Sequence, residues 1–124
     1  MTTLNYLLLA ASNPRKSGAL YAKLLGLEPV ANSETFVLFA LPSGLKLGLW
    51  LADEMEPKVG NADGVDISFN EPDRAAVRST YEAWRDLDLV MLQEPTDMDF
   101  GFTFTAADPD GHRLRVFSMN DNPR

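Results

Sequence analysis

The 124 residues carry 11 Lys and Arg against 18 Asp and Glu, a formal charge of -7, with 45% apolar and 23% charged positions and no cysteine. That is the composition of a globular chain with one core, and the missing thiols exclude disulfides, thiolate zinc sites, iron–sulfur ligation and a thiol nucleophile; a lone histidine, His112, excludes any site that takes two imidazoles from one chain. An acidic balance without a Lys/Arg cluster removes phosphate neutralisation as a source of affinity, so nucleic acid is not an expected partner, and a small neutral or cationic molecule is.

Asn5 to Ala11 is an apolar run of strand length. It is far shorter than the roughly 20 residues that cross a bilayer, and neither a basic region nor a small-residue cleavage site flanks it, so no membrane segment is expected and the expected location is the cytoplasm. Asn13-Pro14 reads as a cap followed by proline at the first helical position, which predicts a helix over Pro14–Leu25 with Leu20, Tyr21 and Leu24 on its apolar stripe and Gly26 as a left-handed cap. Strands are predicted over Glu28–Asn32, Thr35–Leu41 and Leu45–Leu51, with turns at Asn32-Ser33 and Pro42-Ser43-Gly44 between them. In the last of these, alternation puts Leu45, Leu47, Leu49 and Leu51 beneath the helix and Lys46, Gly48 and Trp50 on the opposite face.

Ala52 to Asp63, with Pro57, Gly60 and several acids, reads as a linker, after which the order repeats. Val65–Glu71 alternates, with Val65, Ile67 and Phe69 toward a core and Asp66, Ser68 and Asn70 away from it. Pro72-Asp73 opens a helix striped by Val77, Thr80, Tyr81 and Trp84. Strands follow over Val90–Gln93, Phe102–Ala106 and Arg113–Ser118, the last two joined by the turn Asp108-Pro109-Asp110-Gly111. Residues 1–124 are therefore predicted to be one α+β domain of two βαβββ modules, about 3–51 and 64–119, joined by the linker 52–63. Each module should form a curved four-stranded mixed sheet covered by a helix on one side. Burying the other side takes a second module, so two paired modules are expected to enclose a cleft for a small ligand, and their unpaired edges predict a homodimer.

The element order, the segment Phe100-Gly101-Phe102-Thr103-Phe104, the turn and strand Asp108 to Arg115, and the helix pattern Ser17, Tyr21, Leu25-Gly26 together resemble the vicinal oxygen chelate superfamily. That superfamily holds glyoxalases, extradiol dioxygenases and the bleomycin and phenazine antibiotic resistance proteins. The run Gln93-Glu94-Pro95-Thr96-Asp97 with Phe100-Gly101 is most similar to the phenazine resistance group, whose members bind their drug without altering it. The resemblance implies the glyoxalase/bleomycin resistance-like fold over nearly the whole chain. It also implies four metal-ligand positions in the enzymatic members, which fall here on Tyr6, Gly48, Asp66 and Arg115. One good hard ligand, one residue without a donor atom and one permanent cation are not a divalent-metal set, so no metal cofactor is expected.

Trp50 is expected either to hold a planar ligand or to line a dimer contact or the core. Phe102 and Phe104 share one strand face and are expected either to form the opposite wall of the cleft or to pack beneath the second helix. Tyr81 and Trp84 are expected in the core, and His112 is expected to fix the 108–111 turn by a hydrogen bond. The acid pairs Asp97/Asp99 and Asp108/Asp110 lack the rest of a calcium loop and read as solvated turns. The leading expectation is a metal-free protein that sequesters a planar aromatic compound, such as a phenazine or bleomycin-like antibiotic, through Tyr6, Leu8, Gly48, Trp50, Asp66, Ser68, Phe102, Phe104 and Arg115. The alternative is a lyase or oxidoreductase of the glyoxalase/dioxygenase type.

Overall fold

The computed structural model of the protein describes residues 4–56, 59–60 and 65–120. The chain divides into two compact units, Met1–Gly60 and Asn61–Arg124. The first contains β1 (Tyr6–Ala11), α1 (Pro14–Leu25), β2 (Ala31–Asn32), β3 (Phe36–Ala40) and β4 (Lys46–Leu51), and the second contains β5 (Asp66–Asn70), α2 (Arg74–Trp84), β6 (Val90–Met98), β7 (Gly101–Ala107) and β8 (Arg113–Met119). Each is a βαβββ module with one mixed sheet, ordered β1-β4-β3-β2 in the first and β5-β8-β7-β6 in the second, the outer βα strand lying parallel to the last strand of its module. Of the expected linker 52–63, Ala52–Glu54 form a single 3-10 turn, while residues 57–58 and 61–64, with the module ends at 3 and 64, lie outside the described residues. Among the described residues no helix is long and apolar enough to cross a membrane.

In the first unit the Asn13 side chain accepts the Lys16 amide at 3.2 Å, Pro14 begins α1, and Gly26, at φ 66°, closes it with its amide on the Ala22 carbonyl. The helix buries Ser17, Leu20 and Tyr21 against Leu9, Ala11, Val37, Phe39, Leu47 and Leu49. The expected strand Glu28–Asn32 contracts to Ala31–Asn32. Leu27 still bonds back to the Ala22 carbonyl and Pro29 has no N–H, so pairing starts only with the Val30 amide on the Leu38 carbonyl at 2.7 Å.

In the second unit Asp73 caps α2 by accepting the Ala76 amide at 2.8 Å. Beneath the helix an aromatic cluster packs edge to face: Phe69 on Trp84 at 5.5 Å, Tyr81 on Phe104 at 5.3 Å and Trp84 on Phe104 at 5.5 Å, over fully buried Leu114 and Val116. Strand β6 runs on to Met98 instead of stopping at Gln93. Pro95 is tolerated because β6 is an edge strand, and it falls where the pairing with β7 shifts register between Gln93 and Thr96.

Arg74 of α2 pairs with Asp97 of β6, so Asp97 is a strand residue with an ion-pair partner and not part of a solvated turn. The hydrogen bond from Arg74, ahead of the opposing effect of burial, holds the Asp97 carboxyl below its ordinary value. A carboxyl lowered in this way adds stability that is complete above its unfolded pKa and fades as the pH falls through the folded one. With both partners more than half exposed, the addition is small.

Candidate functional site

Each sheet has one face under its helix and one face turned away from it, and the residues of chemical interest lie on the latter. In the first unit, register aligns Leu8 and Leu38 with Gly48, Tyr6 with Lys46, and Phe36 and Ala10 with Trp50. A Cβ on Gly48 would come within 2.7 Å of Leu8 Cδ2 and 3.1 Å of the Phe36 ring, so the bare backbone at this position is what lets both side chains lie across the strand. Trp50 meets Phe36 edge to face with centroids 6.4 Å apart, and Lys46 Nζ sits 5.4 Å above the Tyr6 ring. Tyr6 and Leu8 remain 48% and 42% exposed, which makes this an apolar, aromatic patch open at its β1 edge. Phe36 belongs to it, and sequence reasoning missed it because its place depends on the β3–β4 register.

In the second unit the face away from α2 is polar. Arg115 Nε donates to Asp66 Oδ2 at 3.0 Å, and its Nη1 donates to Gln93 Oε1 at 3.3 Å and Thr103 Oγ1 at 3.2 Å. Thr105 Oγ1 also donates to Gln93 Oε1, at 3.0 Å. Arg113 Nε lies 3.0 Å from Asp66 Oδ1, but its N–H does not point along that line, so the two pair by charge with no hydrogen bond. Ser68 is exposed and stands opposite Arg115 in the β5–β8 register.

Phe102 and Phe104 do not join this face, and their assignment as a ligand-facing wall is corrected. Phe104 pairs with Val116 on β8 and touches Tyr81 and Trp84, while the Phe102 ring is covered by the guanidiniums of Arg74 and Arg78 at 4.0 and 4.8 Å; both rings lie on the α2 side. The aromatic side chains near Arg115 are instead Phe117, two residues along β8, and Phe100. Their centroids are 6.1 Å apart, and Phe100 is 5.9 Å from the Arg115 guanidinium carbon. Alternation along β8 from Arg115 was a sufficient signal for Phe117; nothing in the sequence marked Gln93 or Thr103 as partners of Arg115.

His112 is buried in the turn before β8, with Nδ1 2.7 Å from Asp108 Oδ2, while Asp108 Oδ1 accepts the amides of Asp110 and His112, both at 2.9 Å. The expected hydrogen bond is present, but Asp108 is buried beneath the turn and not solvated. The four positions at which metal-bearing relatives are expected to keep ligands do not fit a divalent ion. Gly48 offers no donor atom, Arg115 is a permanent cation, and the charge of Asp66 is already opposed by two guanidiniums. Among the described residues, no three His, Cys, Asp or Glu side chains come together as a cation site.

Comparison with known proteins places these faces in context. The family model described as Glyoxalase/Bleomycin resistance protein/Dioxygenase superfamily matches residues 3–116. The phenazine antibiotic resistance protein EhpR of Enterobacter agglomerans is 28% identical over 121 residues, 95% of this chain and 93% of that protein. The solution structure of protein ATC0852 from Agrobacterium tumefaciens superposes with a TM-score of 0.89 at 44% identity, covering 97% of this chain and 99% of the other. A glyoxalase-related enzyme from Fulvimarina pelagi, 17% identical with a TM-score of 0.83 over 95% of this chain and 88% of its own, shares the fold.

Proposed function

Because the chain belongs to the Glyoxalase/Bleomycin resistance protein/Dioxygenase superfamily, we propose that it is a metal-free cytoplasmic homodimer that sequesters a planar aromatic compound, an antibiotic of the phenazine or bleomycin kind, without transforming it. The observation that carries this reading is the open face of the first unit. Trp50 stands edge-on to Phe36, and Leu8 and Tyr6 are half exposed beside the bare backbone of Gly48, a surface on which a flat ring system can lie. Taken by itself, the second unit offers Asp66, Ser68 and Arg115, with the rings of Phe100 and Phe117 near Arg115, as a polar binding surface of its own. Sequestration requires affinity alone, and the similarity to a phenazine antibiotic resistance protein supports a resistance or binding role.

Titration with planar aromatics, followed by tryptophan fluorescence, should give saturable quenching. Trp50→Ala should weaken binding by roughly tenfold, the equivalent of one aromatic contact, while buried Trp84 keeps reporting that the protein is folded. Binding that survives the substitution unweakened removes Trp50 from the site. Elemental analysis of protein from cells grown with added nickel, zinc, manganese and iron should find no stoichiometric metal, and a bound ion would favour the lyase or oxidoreductase alternative. Sedimentation at micromolar concentration should give twice the 13.7 kDa chain mass.

A further inference from the structure

Arg115 has a committed side and an open one. Nε is held by Asp66 on β5, and Nη1 by Gln93 on β6 and Thr103 on β7, so partners on three strands fix the plane of the guanidinium. Its side chain is only 16% exposed, yet Nη2 donates to no acceptor among the described residues and, unlike Arg113 Nε, is not sealed from solvent. A pre-set and partly desolvated N–H pair aimed outward is the half of a hydrogen-bonded pair that awaits an oxygen.

The surroundings make that oxygen a charged one. The acceptors beside Arg115 are occupied: Gln93 Oε1 also accepts from the Thr105 hydroxyl at 3.0 Å, and Thr103 Oγ1 donates its own hydrogen bond to the Val116 carbonyl at 2.8 Å. Asp66, the carboxylate of the cluster, is flanked by Arg113 as well as Arg115, which leaves the cluster with a surplus of one positive charge in a chain of net charge -7. We infer that Arg115 is a specificity-determining residue whose Nη2 receives a carboxylate on the ligand, so that the protein selects aromatic acids over neutral and cationic analogues. Local charge thereby overrides the acidic balance that first suggested a neutral or cationic partner. The inference rests on the reading that the chain holds a planar aromatic compound.

Isothermal titration with phenazine-2-carboxylate and with the uncharged phenazine-2-carboxamide, at neutral pH and low salt, tests it. The carboxylate should bind tighter by roughly tenfold or more, the range of a hydrogen bond to a charged group. That ratio should shrink as salt is raised, fall to near one in Arg115→Gln and survive in part in Arg115→Lys. Equal, saturable binding of both compounds to the unaltered protein overturns the selection by charge and leaves aromatic binding standing. A preference that persists in Arg115→Gln overturns the assignment to Arg115. Absence of binding by either compound overturns both readings, and none of these comparisons on the unaltered protein depends on a variant folding.

Discussion

Replacing Phe104 by alanine should destabilise the protein by about 3–5 kcal/mol, the range for deleting a large ring from a packed core, and should leave the affinity of the folded protein for planar aromatics unchanged. The ring is fully buried and makes two edge-to-face contacts, with Tyr81 and Trp84, that tie β7 to α2. Neither Tyr81 nor Trp84 can follow a retreating side chain, because both are fixed on one helix and Trp84 is itself held by Phe69. The result is a cavity, not a collapse. Urea denaturation followed by circular dichroism gives the stability, and Trp84 fluorescence reports the same contact locally. A loss below about 1 kcal/mol, which cavity formation at a buried ring does not give, together with abolished binding would return Phe104 to the ligand surface.

Phe104 also marks the limit of what alternation can reveal. Apolar runs, turn residues and period-two patterning located the strands of both modules, and alternation separated the faces of β4 and β5, although Val65, expected with Ile67 and Phe69 toward the core, precedes β5 and is 62% exposed. In β7 the Phe-Thr alternation separates two faces, but both are buried, Thr103 and Thr105 being as inaccessible as Phe102 and Phe104, and two aromatic rings suit a ligand wall as well as a core, so alternation alone did not say which face lies under α2. The face is set by partners: Phe104 opposite Val116, and Thr105 opposite Arg115. Helix ends were legible in detail because Asn13-Pro14, Gly26 and Asp73 act within one turn. The partners of Arg115 on β6 and β7 were not, since Gln93 and Thr103 reach it across separations of 22 and 12 residues. The length of β6 was misread for a related reason: a proline ends a central strand, and whether a strand is central is a property of the sheet.

Asp108→Ala should be the other costly change, by roughly 3–4 kcal/mol, because it strands several donors at once where each lost buried partner costs about 1–3 kcal/mol. Asp108 Oδ1 accepts the amides of Asp110 and His112, and Oδ2 faces His112 Nδ1, all beneath a turn whose backbone is closed by the Gly111 amide on the Asp108 carbonyl at 3.0 Å. Asparagine keeps the Oδ1 acceptor, and its amide can face a His112 ring that carries its proton on Nε2, so Asp108→Asn should cost only about 1 kcal/mol. The difference between the two variants, read from thermal unfolding, separates the geometry of the turn from the charge of the carboxylate. Comparable losses in both would show that the charge matters more than the acceptor. The turn leads directly into β8, with Arg113 next after His112 and Arg115 two residues further on. Asp108→Ala should therefore also weaken the preference for a carboxylate over a carboxamide in whatever fraction stays folded, and Asp108→Asn should preserve it. The same titration on both variants decides whether the register of Arg115 depends on the turn that starts its strand.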